Sequence, residues 1–190
     1  MRRSLVAAAV MLVLWTAVTG IAYPLVVTGV GQVLWPDEAD GSYVEADGRV
    51  VGSELIAQPF EGDDWFWPRP SAVDHDPSAS GGSNLGPTSP ELIDTVAERV
   101  DTYRAAHGLA PDAAVPVDAV TASASGLDPH ISVANARIQA GRVAMARDLP
   151  LGDVLALVDD ATQEPTLGFI GERRVNVLLL NLALERASDS

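Results

Sequence analysis

Lysine is absent from the chain, so all 12 of its basic residues are arginines. A phosphate-binding loop of the form G-x-x-x-x-G-K-[ST] requires a lysine, and so does the Asp-Lys pair of an aspartyl-phosphate pump. A G-x-G-x-x-G fingerprint after a strand is missing as well. The chain is therefore not an ATPase on its own.

Cysteine is also absent, which excludes disulfides, thiolate metal sites, cysteine nucleophiles and a lipid-modified N-terminal cysteine. Histidine is scarce, with only three copies. None of the histidines has the spacing of a zinc site relative to another, and we predict surface or turn positions rather than a metal site. These histidines and the carboxylates near them are His75, His107 and His130 with Asp74, Asp76 and Asp128.

Acidic residues are missing from the first 36 positions, and all 26 of them follow that segment. Only 10 arginines accompany them there, which leaves the rest of the chain with a formal charge of −16. Such a surface repels nucleic acid and anionic headgroups and mildly enriches cations. We therefore predict no nucleic-acid partner.

One long uncharged segment lies at the N-terminus, from Ser4 to Pro36, directly after Arg2 and Arg3. Its apolar part exceeds the roughly 20 residues that span a bilayer and the roughly 7–15 of a signal peptide. No cleavage site with small residues followed by polar sequence is evident. We predict a single transmembrane helix within residues 1–36. The arginines keep the N-terminus in the cytoplasm, and residues 37–190 form an extracytoplasmic domain.

The apolar segment carries small residues that let another helix approach closely, among them Gly20, Gly29 and Gly31. Pro24 removes a backbone donor and predicts a kink, which neighbouring helices tolerate by satisfying the freed carbonyl. Gly20, Pro24 and Gly29 are thus candidates for contact with a partner helix. The alternative is that small residues are simply frequent in such helices.

The remainder predicts a mixed α/β domain with short strands. The patterns favour strands at 43–44 and 50–51 around a turn at Asp47-Gly48, and again at 115–121 and 167–170. Helices are predicted at 89–107, 132–147 and 151–160. A last helix is capped by Asn176, although 175–184 also fits a strand.

A long segment without apolar periodicity, residues 64–90, separates the first strands from the first helix of this domain. A loop of that length is either functional or disordered. Its aromatic cluster, Trp65-Phe66-Trp67, argues against plain disorder because disordered segments rarely carry such residues.

Two serines in short serine–glycine strings, Ser83 in 80–83 and Ser123 in 123–126, form a conceivable triad with Asp128 and His130. Neither lies in a G-x-S-x-G elbow, and serines beside glycine mostly satisfy local backbone groups. A membrane-tethered extracellular hydrolase is therefore a weaker alternative, and a stand-alone binding or adhesion domain is another. We predict no catalytic residue.

Three loop strings are not explained by composition: 65–70, 80–86 and 125–132. Local capping and partner docking account for them equally well. The docking candidates within them are Trp67, Arg69, Ser83, Asn84, Asp128 and His130.

The order of these strings after the apolar anchor resembles the C subunit of the Kdp potassium-transporting ATPase, and the resemblance spans nearly the whole chain. Departures from the family pattern are His75, Ala57 and Arg173, whose family roles are therefore in doubt. The strings that carry the resemblance are Tyr23-Pro24-Leu25, Gly52-Ser53-Glu54-Leu55-Ile56, Phe66-Trp67-Pro68-Arg69-Pro70-Ser71, Ser80-Gly81-Gly82-Ser83-Asn84-Leu85-Gly86-Pro87, Thr121-Ala122-Ser123, Ser125-Gly126-Leu127-Asp128-Pro129-His130-Ile131-Ser132 and Arg174-Val175-Asn176-Val177.

The resemblance implies a non-catalytic assembly subunit in the cell membrane, within a pump that imports potassium at the expense of ATP. The implied partners are a channel-like potassium-binding subunit, a P-type ATPase subunit and a small hydrophobic subunit. ATP and potassium would then be bound by the complex and not by this chain alone. The family is also described as raising ATP affinity, through a glutamine that matches Gln139.

That description conflicts with the predicted topology, because an extracytoplasmic domain does not meet cytosolic ATP. We expect any effect on nucleotide affinity to pass through the membrane helices as a coupling of about 1–3 kcal/mol. An acidic domain beside the pore mouth would also favour cations slightly.

Overall fold

The computed structural model describes residues 1–188 and separates into two compact units, Met1–Tyr43 and Val44–Ser190. In the first unit, α1 (Arg2–Ala17) continues through a π-helical turn (Val18–Ala22) into α2 (Tyr23–Leu34). This 33-residue helix has a mean hydropathy of 2.3 over its most apolar stretch, which is 0% buried within the described part of the chain. Its length and composition suffice to cross a bilayer. The prediction of one N-terminal apolar helix is confirmed.

The helix is irregular next to Pro24, where the sequence predicts a kink. Pro24 has no N–H to donate to the carbonyl of Gly20, so the regular ladder is interrupted there. The π-helical turn Val18–Ala22 lies directly before this point and widens the helix by one residue. After Leu34, Trp35 leaves the helical region and Pro36 begins a short α3 (Pro36–Ala39).

A two-stranded sheet follows α3, with β1 (Tyr43–Ala46) and β2 (Arg49–Ser53) joined by Asp47 and Gly48. Both turn residues have positive φ, 51° and 72°, as in the type I′ turn that suits a two-residue hairpin. The predicted pair of short strands and its turn are confirmed.

The predicted helices are present as α4 (Pro90–Ala106), α6 (Val133–Ala146), α7 (Leu151–Asp160) and α8 (Val177–Ser188). Ser132 caps α6 by accepting a hydrogen bond from Asn135 N. Asn176 caps α8, since its Oδ1 accepts from Leu179 N at 3.2 Å. The strand alternative for 175–184 is therefore wrong. Ser89 precedes α4 as predicted, but within residues 1–188 its side chain forms no capping bond.

Two predicted strands are wrong. Residues 115–121 contain the short helix α5 (Val117–Val120), because Asp118 faces Ser132 and Asn135 rather than a neighbouring strand. Residues 167–170 form a tight turn in which Leu167 and Gly168 have positive φ, which no strand accommodates.

A small antiparallel sheet has the order β3-β5-β4, formed by His130–Ser132, Arg174–Asn176 and Thr162–Gln163. In its register Ile131 lies opposite Val175, and Val175 lies opposite Thr162. Strands of two or three residues are too short to show an alternating pattern, so the sequence does not reveal this sheet.

The core lies between α6, α7, α8 and the central strand β5. Small residues on α6, Ala136 and Ala140, are fully buried and allow close packing of neighbouring elements. One member of the core, Phe66, comes from the long segment without regular structure. The other large buried members are Ile131, Val143, Val154, Val158, Val175, Leu180 and Leu184.

Candidate functional site

The segment 62–70, which we call the strap, has no helix or strand and is nevertheless held tightly by α6 and α8. The ring of Phe66 is fully buried. Phe66 N donates to Oδ1 of Asn181 at 2.9 Å, and Nδ2 of Asn181 donates to Phe66 O at 3.0 Å. The side-chain amide of Asn181 thus pairs with the strap as a neighbouring strand would.

The side-chain amide of Gln139 on α6 likewise pairs with the main chain of the next strap residue, Trp67. Trp67 N donates to Oε1 of Gln139 at 2.7 Å, and Nε2 of Gln139 donates to Trp67 O at 3.1 Å. A second donation from Nε2 goes to Asn135, and Oε1 also accepts from Arg142. These four bonds use the whole hydrogen-bonding capacity of the amide, and the residue is 1% exposed.

A nucleotide therefore meets no free hydrogen-bonding group at Gln139 in this conformation. The amide would have to leave all four bonds before it could reach such a ligand. The nucleotide contact implied by the resemblance stays a prediction.

Arg142, one turn further along α6, holds the strap by its main chain. Its guanidinium donates to the carbonyls of Gly62, Asp63 and Trp65 at 3.2, 2.6 and 2.9 Å. It also lies 3.8 Å from the ring centroid of Trp67. Burial lowers the pKa of Arg142, whereas nearby Asp63 opposes the shift. Because the cation donates to three main-chain carbonyls of the strap, it fixes the shape of the loop.

Asn135 extends this network toward α4 and α5. Its Oδ1 accepts from the hydroxyl of Tyr103 at 2.8 Å, and its Nδ2 donates to Asp118 at 2.9 Å. Asp118 in turn accepts from the backbone N and the hydroxyl of Ser132. Burial, together with the charge of Asp118, raises the pKa of Tyr103. The phenol therefore stays neutral and acts as a donor.

His107 closes the network at the end of α4. Its ring stacks on Tyr103 with centroids 4.0 Å apart and meets the edge of Trp67 at 5.4 Å. Nδ1 lies 2.8 Å from Tyr103 O, and Nε2 accepts from Arg142 Nε at 3.3 Å. Burial lowers the pKa of His107 despite the bond to that carbonyl, which favours the neutral ring.

The three loop strings of the sequence meet on one side of this cluster. Gly81 N donates to Ser125 O at 2.8 Å, and Ser71 Oγ donates to Gly126 O at 2.8 Å. Ser123 N donates to Pro70 O at 3.2 Å. Gly126 has a φ of 69°, and a Cβ there would lie 2.9 Å from the carbonyl oxygen of Gly81. Close backbone contact therefore requires glycine at this position.

Asp128 joins the strap to the third string. Its Oδ2 accepts from Nη1 of Arg69 at 3.0 Å, while its Oδ1 accepts from His130 N at 3.0 Å. Burial opposes ionisation of this carboxyl, but the bonds from His130 and the charge of Arg69 outweigh it and hold its pKa below the usual value. Asp128 is therefore an ionised link between the two loops.

The sequence-predicted docking candidates fall into three places. Gly20, Pro24 and Gly29 lie on the exposed apolar helix of the first unit. Ser83 and Asn84 are exposed on the second string, where Nδ2 of Asn84 donates to Gly82 O. Trp67, Arg69, Asp128 and His130 are brought together at the strap. A cleft of about 780 Å³ opens beside Trp67 and Arg69, and its lining also includes Phe60, Pro68, His75 and Tyr103.

The hydrolase alternative has no support in the geometry. Within residues 1–188, no hydrogen bond joins Ser83 or Ser123 to His130, whose Nδ1 faces Asp128 at 3.5 Å. Ser123 is buried, whereas Ser83 is exposed. In the same part of the chain, no three His, Asp or Glu residues are grouped closely enough to hold a metal ion.

Sequence reasoning misses several residues of the network, among them Asn135, Arg142 and Asn181. A signal for two of them exists, because Asn135, Gln139 and Arg142 recur at i, i+4 and i+7 and so share one face of α6. A polar stripe of that kind is ordinarily a solvated face. Here it is buried against the strap, which only the tertiary structure reveals.

Comparison with known proteins identifies relatives along nearly the whole chain. The family model described as K+-transporting ATPase, c chain (KdpC) matches residues 5–186. A potassium-transporting ATPase KdpC subunit of Mycobacterium bovis is 54% identical over 188 residues, covering 98% of this chain and 100% of the relative. The subunit of the same name from Polaromonas naphthalenivorans is 55% identical over 189 residues, and 97% of this chain and 95% of the relative are covered. The subunit of the same name from Methylococcus capsulatus is 52% identical over 181 residues, and 94% of this chain and 95% of the relative are covered.

Proposed function

The chain belongs to the KdpC family of K+-transporting ATPase subunits, and from that membership we propose how it serves the pump. It is an accessory subunit and not the catalytic one. Its helix fixes it in the membrane beside the helices of its partners, and its folded unit docks on them from outside. Through both contacts it stabilises the assembled pump and supports the use of ATP.

The observation that carries this proposal is the 33-residue apolar helix, whose most apolar stretch is 0% buried within the described part of its own chain. Apolar packing against other helices or lipid must therefore come from its surroundings. Gly20 and Gly29 admit a close neighbour, and a Cβ at Gly29 would meet no atom of the described residues within 4 Å. The helix suits an assembly role in a membrane complex.

The orientation in this proposal rests on charge. Arg2 and Arg3 precede the helix, and every acidic residue follows it. Under the positive-inside tendency the N-terminus lies in the cytoplasm and the folded unit outside. The protein is thus a single-pass protein of the cell membrane.

The partners in this proposal are the channel-like potassium-binding subunit, the P-type ATPase subunit and the small hydrophobic subunit. The strap offers a preorganised docking face, because Gln139, Arg142 and Asn181 hold its main chain in one shape. Preorganisation lowers the ordering cost of binding. ATP and potassium are bound by the complex rather than by this chain alone.

The effect on ATP use passes through the membrane helices, since an outside domain does not meet cytosolic nucleotide. A helix that packs better against one state of the pump shifts the equilibrium by its differential affinity. A coupling of about 1–3 kcal/mol, or 5- to 150-fold, is typical of such links.

Co-purification tests the assembly role. The full chain is expressed with the other pump subunits under potassium limitation, with an affinity tag on the P-type ATPase subunit. We expect the chain in the purified complex, and we expect Gly20→Leu with Gly29→Leu to lower its recovery. Recovery of a complete, active pump without the chain would contradict the proposal.

Topology is testable because the chain has no cysteine. A single cysteine is introduced by Ser4→Cys in the first turn of the helix or by Asp112→Cys on the folded unit, and intact cells are treated with a membrane-impermeant maleimide. We expect labelling at position 112 alone. Labelling only after cell lysis at that position would reverse the orientation.

A further inference from the structure

Arg142 on α6 uses its whole hydrogen-bonding capacity where it holds the strap. A guanidinium has five N–H groups, and here each of them has an acceptor. Three bonds go to carbonyls of the strap, and one goes to the amide of Gln139, which itself binds the strap. The fifth bond runs from Nε to Nε2 of His107 at 3.3 Å. Of these five acceptors, only the imidazole titrates near neutral pH.

The contacts of His107 determine which of its nitrogens takes up a proton. Nδ1 lies 2.8 Å from Tyr103 O, and because a carbonyl oxygen only accepts, Nδ1 carries the hydrogen of the neutral ring. Nε2 is therefore the nitrogen whose lone pair accepts from Arg142, and a proton adds there. Two N–H donors then face each other, each on a cation. The hydrogen bond is lost, and repulsion between like charges replaces it.

Solvent reaches this ring without unfolding of the domain. His107 is half-buried, and together with Asp63 and Arg142 it lines a cleft of about 730 Å³. Arg142 itself is only 8% exposed. The guanidinium is planar and rigid, so a movement of Nε away from the ring also displaces the two terminal nitrogens that bind the strap.

Three elements pack against the ring of His107, and each brings one ionisable group. On α4 itself, Tyr103 stacks on the ring and stays neutral, because burial raises its pKa. Arg142 on α6 opposes a second cation, whereas the carboxylate of Asp63 in the strap favours it. Asp63 is exposed, so water screens its attraction. Burial, with Arg142 as a smaller cause, lowers the pKa of His107 below its usual 6.5 and keeps the ring neutral at neutral pH.

We propose that His107 and Arg142 form an acid-sensitive switch that controls the strap. In mild acid, Nε2 of His107 takes up a proton and repels Arg142, whose guanidinium then leaves the carbonyls that shape residues 62–65. The strap loosens while the helices stay folded, and neutral pH restores the bonds.

With the folded unit outside the cell, the switch responds to the pH of the medium and weakens docking through the strap in acid. This consequence rests on the proposed function, whereas the switch itself is a property of the chain alone.

Hydrogen–deuterium exchange of the full-length chain in detergent tests the switch. Exchange is measured by mass spectrometry between about pH 7.5 and pH 5 and converted to protection factors, which correct for the intrinsic effect of pH on exchange. The wild type is compared with His107→Gln, which keeps an acceptor for Arg142 but takes up no proton. His75→Gln is the matched control, because His75 is also half-buried but its Nε2 lies 3.1 Å from Arg69 O and not beside Arg142.

We expect the protection of strap amides in the wild type to fall by about tenfold or more, as the loss of a charge-assisted hydrogen bond gives. The midpoint lies below pH 6.5, and peptides of α7 and α8 lose less protection. His75→Gln should respond as the wild type does, and His107→Gln should keep its protection. Constant protection in the wild type, or the same fall in His107→Gln, would overturn the proposal. Equal losses in the strap, α7 and α8 would indicate global unfolding and overturn it too.

A second measurement needs no change at position 107. The wild type is labelled with ¹⁵N-histidine, and the signals of the two other histidines are assigned with His75→Gln and His130→Gln. We expect Nε2 of His107 to titrate with the same midpoint as the exchange of the strap. Different midpoints would show that another group loosens the strap.

Binding to the pump complex prepared without this subunit separates the switch from the docking role. We expect the apparent Kd of the wild type to rise about tenfold between pH 7.5 and pH 5, and that of His107→Gln to rise less. A strap that loosens while both proteins keep the same Kd would support the switch and contradict docking through the strap.

Discussion

Gln139 and Trp67 pair like two residues of adjacent strands, although one lies on a helix and the other in a loop 72 residues away. The side-chain amide of Gln139 replaces a neighbouring backbone and satisfies both the N–H and the carbonyl of Trp67. Burial of a main chain without regular structure is possible only with such partners.

Replacement of this amide tests the pairing. Gln139→Leu removes both bonds to the main chain of Trp67, so that its N–H and carbonyl lose their partners, and it also removes one bond each from Arg142 and Asn135. We expect a loss of about 2–4 kcal/mol in the free energy of unfolding. Thermal unfolding followed by tryptophan fluorescence measures it, with Gln163→Leu as the control. Equal melting temperatures for Gln139→Leu and wild type would contradict the assignment.

Phe66 and Phe169 offer the same substitution in opposite environments, 0% and 76% exposed. Phe66→Ala leaves a cavity in the core, and we expect it to cost about 3–5 kcal/mol. Phe169→Ala should change the free energy of unfolding by less than about 0.5 kcal/mol. Thermal melts of the two full-length variants provide the comparison, and similar losses in both would be inconsistent with the structure.

Gly126 and Gly141 make a second matched pair. Alanine at 126 would take a positive φ and press its Cβ against Val73 and the carbonyl of Gly81, so we expect a cost of about 3 kcal/mol. Gly141 lies in α6, and a Cβ there would meet no atom of the described residues within 4 Å. Gly141→Ala should therefore stabilise the protein by about 0.5–1 kcal/mol. Calorimetry gives both values, and a neutral Gly126→Ala would disprove the close approach.

The lowered pKa of His107 leads us to expect that the folded protein loses stability at mildly acidic pH. Its folded-state pKa lies below the usual 6.5 because of burial, so the unfolded chain binds this proton more tightly. The stability is full above pH 6.5 and falls as the pH drops below that value toward the folded pKa. The pKa of Asp128 lies below its usual 3.8, and its contribution is lost only at still lower pH.

The contribution of His107 is measured from melting temperatures of the wild type and of His107→Gln at about pH 7.5 and pH 5.5. We expect the wild type to melt lower at the acidic pH and His107→Gln to show a smaller difference between the two. If the difference in melting temperature between the two pH values is the same in His107→Gln as in the wild type, another group is responsible for it.

Leu167 should lower the stability of the protein, because its φ of 57° is unfavourable for leucine. Leu167→Asn relaxes the positive φ of this residue, and we expect a gain of about 0.5–1 kcal/mol in the free energy of unfolding. Leu151→Asn, on α7, is the control and should bring no gain. A destabilised Leu167→Asn would show that the turn is not strained there.

Local patterns predict much of this molecule. The apolar helix, the Asp47-Gly48 hairpin and the four longer helices of the folded unit follow from runs, caps and periodicity that neighbouring residues set among themselves. The wrong strands at 115–121 and 167–170 are short segments, where apolar content alone does not distinguish a strand from a turn or a helix.

What the sequence by itself determined is therefore the N-terminal apolar helix, the acidic composition, the order of the main helices and the resemblance to a pump subunit. Only the tertiary structure decided that Phe66 completes the core, that a buried polar stripe on α6 holds the strap, and that β3, β5 and β4 form a sheet. The reason is that these contacts join residues that are far apart in the sequence. The bonds of Asn181 to Phe66 join residues 115 positions apart, and no local pattern records which distant backbone a buried amide will satisfy.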